Sequence, residues 1–248
     1  MPSWGRDAFR PWQVDLRDIA PLRPERRLSD LRGFPIKPLA VLNSLFDQVL
    51  FLDADCFPIR DPSFLLDTQE FRDHGAVFWP DWKRQQLVEG ADIWKLTGLP
   101  FTGEPEIESG IFVVDKQVCW DELCLTDWMN LHSDFWYRYV LGDKDTFYLS
   151  WRKRGRVFSL GPEPHRFTAC VTRHFWFDQK PLADHREGTS KYRMPTKVKN
   201  LRVLSRYGGR SVLKDIYDEV AQRFVVTNFH EHVRYLGELA RFWTAEGN

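Results

Sequence analysis

Val49-Leu50-Phe51-Leu52-Asp53-Ala54-Asp55-Cys56-Phe57-Pro58 is the stretch around which the rest of the chain is organised. Its short apolar opening, with β-branched and aromatic members, predicts a buried strand, and Pro58 with the following Arg60-Asp61-Pro62 predicts that strand's end. Two carboxylates therefore fall where the strand runs out. Side chains alternate along an extended backbone, so Asp53 and Asp55 share a face only if the chain stays straight; a turn after Asp53 would splay them. Either arrangement leaves two hard oxygen donors near one point. Acids after a strand can be turn formers that bond their own backbone. They can also hold a divalent cation, since Mg²⁺ and Mn²⁺ take one or two carboxylates and complete their shell with water and phosphate oxygens. Ligands of open α/β sheets gather beyond the carboxyl ends of the strands, and that context favours the cation.

Length and composition bound the rest. At 248 residues with 43% hydrophobic content, the chain is one large domain, or a domain with a long appendage, and can bury a substantial core. The 35 basic and 35 acidic residues cancel, which argues against a general nucleic-acid binder. Cys56, Cys119, Cys124 and Cys170 show neither Cys-x-x-Cys spacing nor the density of a disulfide scaffold, so reduced thiols are expected. No run approaches the ~20 apolar residues of a membrane span. Met1 to Asp7 lacks the apolar core of a signal sequence, and the chain as written is expected to be cytoplasmic. The 11 Trp could build a core or offer aromatic platforms to sugars, and composition leaves both open.

Around the acidic pair the expected elements are these. Residues 1–32, rich in Arg, Asp and Pro, form an N-terminal extension with one extended candidate at Trp12 to Leu16, and hold nothing like a nucleotide-binding first strand. Phe34 to Phe46 predicts a helix that starts at Pro35 and Pro38 and carries Lys37 in its first turn. A short helix over Ser63 to Thr68 and a strand over Ala76 to Trp79 follow; Pro80-Asp81-Trp82 then ends the strand at the same rim as the acidic pair. Residues 83–107 read as a covering loop with one helical turn near Ile93. Glu108-Ser109-Gly110 enters the strand Ile111 to Val114; Glu108 and Ser109 could accept and donate hydrogen bonds to a ligand, and Gly110 would let backbone approach it closely. Val118 to Leu141 predicts a helix or helix pair broken near His132. Gly142 stops it, and Asp143 is expected to cap a helix through Trp151 that Gly155 closes. Residues 187–248 form a C-terminal segment, with a strand at Leu201 to Leu204, a helix over Ser211 to Gln222, a strand over Phe224 to Phe229 and a last helix from His232 to Trp243.

Ile36-Lys37-Pro38-Leu39, Phe51-Leu52-Asp53-Ala54-Asp55, Gly75-Ala76-Val77-Phe78-Trp79-Pro80-Asp81-Trp82, Glu108-Ser109-Gly110 and Gly142-Asp143-Lys144-Asp145 come in an order that resembles the fungal-type α-mannosyltransferases. More distantly they resemble the glycogenin and lipooligosaccharide galactosyltransferase group. The resemblance covers roughly residues 33–186, taken here as the glycosyltransferase-like core. It implies an α/β fold of the GT-A type, a Rossmann-like mixed sheet flanked by helices, here without the usual first nucleotide-binding strands. It further implies Mn²⁺ or Mg²⁺ held by Asp53 and Asp55, a nucleotide-sugar donor with GDP-mannose favoured, and retaining transfer to a glycan acceptor.

By the same resemblance Lys37 faces the donor phosphates and Asp81, with Trp82, meets the acceptor. Asp143 bonds the sugar, and Lys144, where the galactosyltransferase group carries Gln, lies near the reacting face. Asp145 and Glu108 join Asp143 in steadying the cationic sugar, while Ser109 and Gly110 line the donor site. A third metal ligand is expected from His174 first and His185 second, with His230 a further candidate. The fungal relatives are luminal Golgi enzymes, so that compartment is the alternative to the cytoplasm. Rival functions are a UDP-hexose transferase and a non-catalytic carbohydrate- or partner-binding module. A phosphatase of the haloacid dehalogenase type also begins with Asp-x-Asp, but would carry Thr or Val where Phe57 stands.

Overall fold

Strand β1, Gln48–Leu52, ends one residue before Asp53. The chain then turns: the Cys56 N–H donates to the Asp53 carbonyl at 2.9 Å, and a second strand, β2, runs over Cys56–Pro58. The single strand expected here is therefore two. The carboxylates' preference for turns splits the apolar run, and its halves enter different sheets. The computed structural model describes residues 20–23, 34–53, 55–82, 87–168 and 171–186. The chain divides into two compact units, Met1–Pro21 with Glu187–Asn248, and Leu22–Arg186; the fold below belongs to the second. The elements expected at 12–16 and beyond residue 200, with His230, lie outside the described residues.

The larger sheet has the order β1-β4-β3-β5, with β3 Ala76–Pro80, β4 Ile107–Asp115 and β5 Ser159–Leu160. Its β3–β5 pair is parallel and its other pairs are antiparallel. The smaller sheet, order β2-β8-β7-β6, is antiparallel throughout and adds β6 His165–Thr168, β7 Val171–Phe175 and β8 Pro181–Arg186. A mixed sheet and an antiparallel one, flanked by helices, make the architecture α/β, consistent with the expected GT-A-like class. Among the described residues β1 is the first strand.

Period-two alternation explains why the larger sheet is apolar on both sides. Ala76, Phe78, Phe112 and Val114 pack toward the helices, against Leu123, Met129, Phe147 and Trp151. Val77, Trp79, Ile111 and Val113 point the other way, against Leu65, Phe71, Trp176, Leu182 and Ala183. The smaller sheet, with the 3-10 helix Ser63–Asp67 and the helix Gln69–His74, thus covers one face of the larger, and the helices Trp120–Leu131 and Asp143–Arg154 cover the other. Each such aromatic or branched side chain contributes roughly 1.5–3 kcal/mol by leaving water. Trp79 also donates its indole N–H to the Phe175 carbonyl at 2.8 Å, tying β3 to the end of β7.

Helix α1, Ile36–Leu42, is shorter than the expected 34–46 because the Asn43 side-chain amide donates to the Leu39 carbonyl and competes with continuation; Leu45 and Phe46 are exposed. A 3-10 helix at Ser63–Asp67 matches expectation, but α2, Gln69–His74, was not expected. Its signals were present: Thr68 Oγ1 accepts from the Phe71 N–H, and Gly75 closes it at φ 69°. Helix α3 spans Asp92–Thr97, and α4 Trp120–Leu131 and α5 Ser133–Trp136 meet at the predicted break. Helix α6 spans Asp143–Arg154 and ends at Gly155 in the left-handed region. Its cap is Gly142, at φ 83°, rather than Asp143. Asp145, two positions further in, accepts the Leu141 N–H at 2.8 Å and covers the helix start, which leaves Asp143 for other partners. Among the described residues no helix is long and apolar enough to cross a membrane.

Candidate functional site

Asp53 closes β1 and Asp55 opens β2, so the acidic pair is the seam where the chain passes from one sheet to the other. The register of the smaller sheet sets Cys56 opposite His185, which brings the β8 histidine beside Asp55. His185 Nε2 lies 3.3 Å from Asp55 Oδ1. Asp53, Asp55 and His185 each offer one ligand atom, and these atoms lie within 4.8 Å of one another. Two carboxylates and an imidazole suit Mn²⁺ or a similar borderline cation. Asp55 and His185 are buried, while Asp53 keeps about a quarter of its side chain exposed. Burial pulls the His185 imidazolium down, but its contacts with Asp55 and Glu108 outweigh that and raise its pKa to about 10. Burial raises the Asp53 carboxyl against the pull of Lys37.

His174, the histidine expected first, sits elsewhere. It lies on β7 opposite Ala183, is fully buried, and presents its ring edge to Trp79 at 6.5 Å. It is not among the residues of the acidic group, and the geometry reverses the expected order of the two histidines.

Lys37 reaches the same seam from α1. Its ammonium lies 3.0 Å from Asp53 Oδ2, 3.0 Å from Asp143 Oδ2 and 2.9 Å from Ser109 Oγ, and it also donates to the Ser109 carbonyl. Ser109 in turn donates to Asp143 at 2.9 Å. Four elements, α1, β1, β4 and the start of α6, are therefore tied at one ammonium. Burial would lower the Lys37 pKa, but Asp143 and Asp53 more than offset it, and the group stays charged above its ordinary value. Lys37 is therefore a buried, fully paired lysine and not a solvated surface one.

Glu108 and Gly110 stand on the other side of His185. Glu108 Oε2 lies 3.5 Å from His185 Nδ1, and its Oε1 accepts the Gly110 N–H at 2.7 Å. Burial would raise the Glu108 pKa, but the His185 contact, with His174 and Lys37, holds the carboxyl well below the usual range. A Cβ added at Gly110 would come 2.7 Å from His185 Cε1 and 2.8 Å from Nδ1. The space that Gly110 leaves open is thus filled by the imidazole, where the sequence pointed to a ligand.

A second cluster lies around Lys144. Its ammonium meets Glu106 Oε2 at 2.6 Å, Asp81 Oδ2 at 2.7 Å and Asp145 Oδ1 at 3.5 Å. An ammonium has three donors, and here three carboxylates surround it. Burial opposes the charge, but Asp145 and Asp81 hold the Lys144 pKa above its ordinary value. The lysine clamps the end of β3 to the start of α6. Glu106, buried and not singled out from the sequence, also accepts the Leu87 N–H through Oε1 at 3.0 Å, anchoring the far side of the loop after Trp82. An acid two residues before Glu108 in a Pro- and Gly-rich stretch carries no sequence signal for that role. Trp82, beyond Asp81, exposes 42% of its surface and is available as an aromatic platform.

Two carboxylates and a histidine thus meet where an edge strand of a mixed α/β core ends, a donor set that could hold a divalent cation. Comparison with known proteins adds a family. A family model carrying the provisional description of mannosyltransferase matches residues 9–97. α-1,2-Mannosyltransferase MNN24 of Candida albicans is 26% identical over 162 residues, covering 50% of this chain and 23% of the relative. MNN2 of the same organism, also named an α-1,2-mannosyltransferase, is 25% identical over 205 residues, 59% of this chain and 34% of the relative. MNN5 of Saccharomyces cerevisiae, of the same named activity, is 26% identical over 187 residues, 52% of this chain and 31% of the relative. The chain therefore spans about a third or less of the length of these curated relatives. The family this chain resembles is the fungal-type α-mannosyltransferases, the one its motifs imply.

Proposed function

We propose that this chain is a metal-dependent mannosyltransferase that takes mannose from a nucleotide donor, GDP-mannose, to a glycan acceptor with retention at the anomeric carbon. The observation that carries the reading is the convergence of Asp53, Asp55 and His185 at the rim of the larger sheet, within 4.8 Å of one another. These three residues would hold Mn²⁺ or Mg²⁺, which supplies charge neutralisation to a departing diphosphate. The donor set fits, because the hard carboxylate oxygens and one imidazole nitrogen match the ion's preferences.

The chain's own residues divide the remaining work. Lys37 fixes Asp53 and Asp143 relative to each other and keeps a permanent positive charge beside the metal ligands. Asp143, on the other side of that ammonium, is placed to bond a sugar hydroxyl and steady positive charge on the ring. Lys144 spends its charge on Asp81, Glu106 and Asp145, which holds Asp81 and the neighbouring Trp82 at the rim where an acceptor sugar would stack. His185 must be neutral to ligate through Nε2, so the proton its carboxylate neighbours favour leaves when a cation enters.

The test is hydrolysis of GDP-mannose with and without Mn²⁺, against UDP-glucose and UDP-galactose, in wild type and Asp55→Ala. The expected result is Mn²⁺-dependent release of GDP, lower by about 10²-fold or more in the variant. Equal rates in both proteins contradict the metal assignment. Faster cleavage of either UDP-sugar contradicts the donor, and nucleotide binding without turnover favours a binding module.

A further inference from the structure

We infer that Glu108 and Gly110 form a seat for His185, with Glu108 as the positioning residue that selects which imidazole nitrogen faces the metal. The inference rests on the metal reading above and adds a role for two residues whose sequence pattern pointed to the sugar. His185 has one nitrogen on each side of the seam: Nε2 at 3.3 Å from Asp55 Oδ1, and Nδ1 at 3.5 Å from Glu108 Oε2. A carboxylate behind the distal nitrogen keeps the proton on Nδ1 and leaves the Nε2 lone pair for a cation, and it makes that nitrogen a stronger donor.

Glu108 can hold this orientation because it is itself held. Its Oε1 accepts the N–H of Gly110 at 2.7 Å, which turns Oε2 toward the ring. Gly110 is the complementary half of the seat. The register Leu52↔Ile111, with the Asp53 N–H donating to the Gly110 carbonyl at 2.8 Å, places residue 110 directly beside the acidic pair. The ring of His185 occupies the position where any larger residue would carry its Cβ, with contacts of 2.7 and 2.8 Å that no real Cβ tolerates. Ser109, between the two, points to Lys37 and Asp143 instead. One tripeptide thus serves both halves of the seam: positions 108 and 110 seat the histidine of the smaller sheet, and position 109 joins the lysine network of α1 and α6.

The experiment is Mn²⁺ titration, followed by the electron paramagnetic resonance of free Mn²⁺, of wild type, Asp55→Ala, His185→Ala, Glu108→Gln and Gly110→Ala, with metal-free melting temperatures as a control on folding. In Glu108→Gln the side-chain oxygen can still accept from Gly110, and the amide then offers N–H to Nδ1. That favours the tautomer with the proton on Nε2 and blocks ligation. The expected result is a 10–100-fold weaker Mn²⁺ affinity in Glu108→Gln. Gly110→Ala should weaken binding at least as much, because the displaced ring no longer faces Asp55. Binding in Glu108→Gln as tight as wild type, while His185→Ala binds poorly, overturns the seat and leaves the metal reading intact. A wild type that binds no Mn²⁺ removes the metal reading itself, and the inference with it.

Discussion

The two sheets of the Leu22–Arg186 unit are built on opposite chemistry. The interior of the larger is almost entirely apolar: Phe78, Trp79, Ile111, Phe112, Val113 and Val114 are buried, and their packing alone accounts for the strands. The smaller sheet buries Thr172, Arg173, His174, Asp184 and His185, and is held by matched polar pairs, with Arg173 gripping Asp184 in a two-pronged bond at 2.6 and 2.7 Å. The comparison teaches where chemistry comes from in this fold. The apolar stretch of the larger sheet supplies a rigid frame and carries Glu108 and Ser109 at its rim, whereas the smaller sheet carries Arg173, Asp184 and His185 within its strands. The Asp53 to Asp55 turn is the crossing between them, and the metal-ligand candidates gather there.

The largest expected effect tests whether the two sheets act as one packed unit. Trp79→Ala removes the fully buried ring between them and its bond to the Phe175 carbonyl, and should cost about 3–5 kcal/mol in urea unfolding. A cost under about 1 kcal/mol would mean that the smaller sheet does not depend on the larger. Next is Arg173→Met, which leaves Asp184 buried without the charge that faces it. A loss of about 3 kcal/mol is expected, and the double variant Arg173→Met/Asp184→Leu should regain most of it. If single and double variants are equally unstable, the pair is not what holds the smaller sheet.

A smaller effect sharpens the contrast from the helix side of the larger sheet. Burial, opposed by Lys144, raises the Asp145 carboxyl to about 6. A raised acid pKa means that the folded protein binds this proton more tightly than the unfolded chain does. Its contribution to stability is therefore fully present below about pH 4 and is lost as pH rises to about 6. Asp145→Asn lacks that dependence, so the unfolding free energy of wild type minus variant should fall by on the order of 2 kcal/mol between about pH 4 and 7. A constant difference would place the carboxyl at its ordinary value. The smallest effect is at the surface: Arg154→Ala removes the exposed pair with Asp121 and should change stability by no more than about 0.5 kcal/mol.

Three strands of the larger sheet were legible in the sequence because they read as apolar runs, whereas the two-residue β5 was not. β1, β3 and β4 lie where Val49 to Leu52, Ala76 to Trp79 and Ile111 to Val114 pointed. The smaller sheet was not. Its β2 is three residues long, and in β8, Pro181–Arg186, the buried Asp184 and His185 are matched by Arg173 on β7 and by Asp55 and Glu108, partners that lie far off in sequence or on other elements. The resemblance put His174 before His185, whereas the antiparallel register that sets His185 against Cys56, beside the acidic pair, is a tertiary fact. Motif order singled out Lys37, Asp53, Ser109 and Asp143, and they lie together in the structure, but it could not say that Asp143 would meet Lys37 instead of capping α6, or that Lys144 would be surrounded by acids.

The central claim, that the seam between the two sheets holds a divalent cation, is tested most directly by anomalous scattering from crystals grown with Mn²⁺ and GDP. The account predicts a manganese peak bonded to Asp53, Asp55 and His185 Nε2, with Glu108 behind Nδ1. Manganese bound by other residues, or a seam without a peak at saturating Mn²⁺, would contradict it.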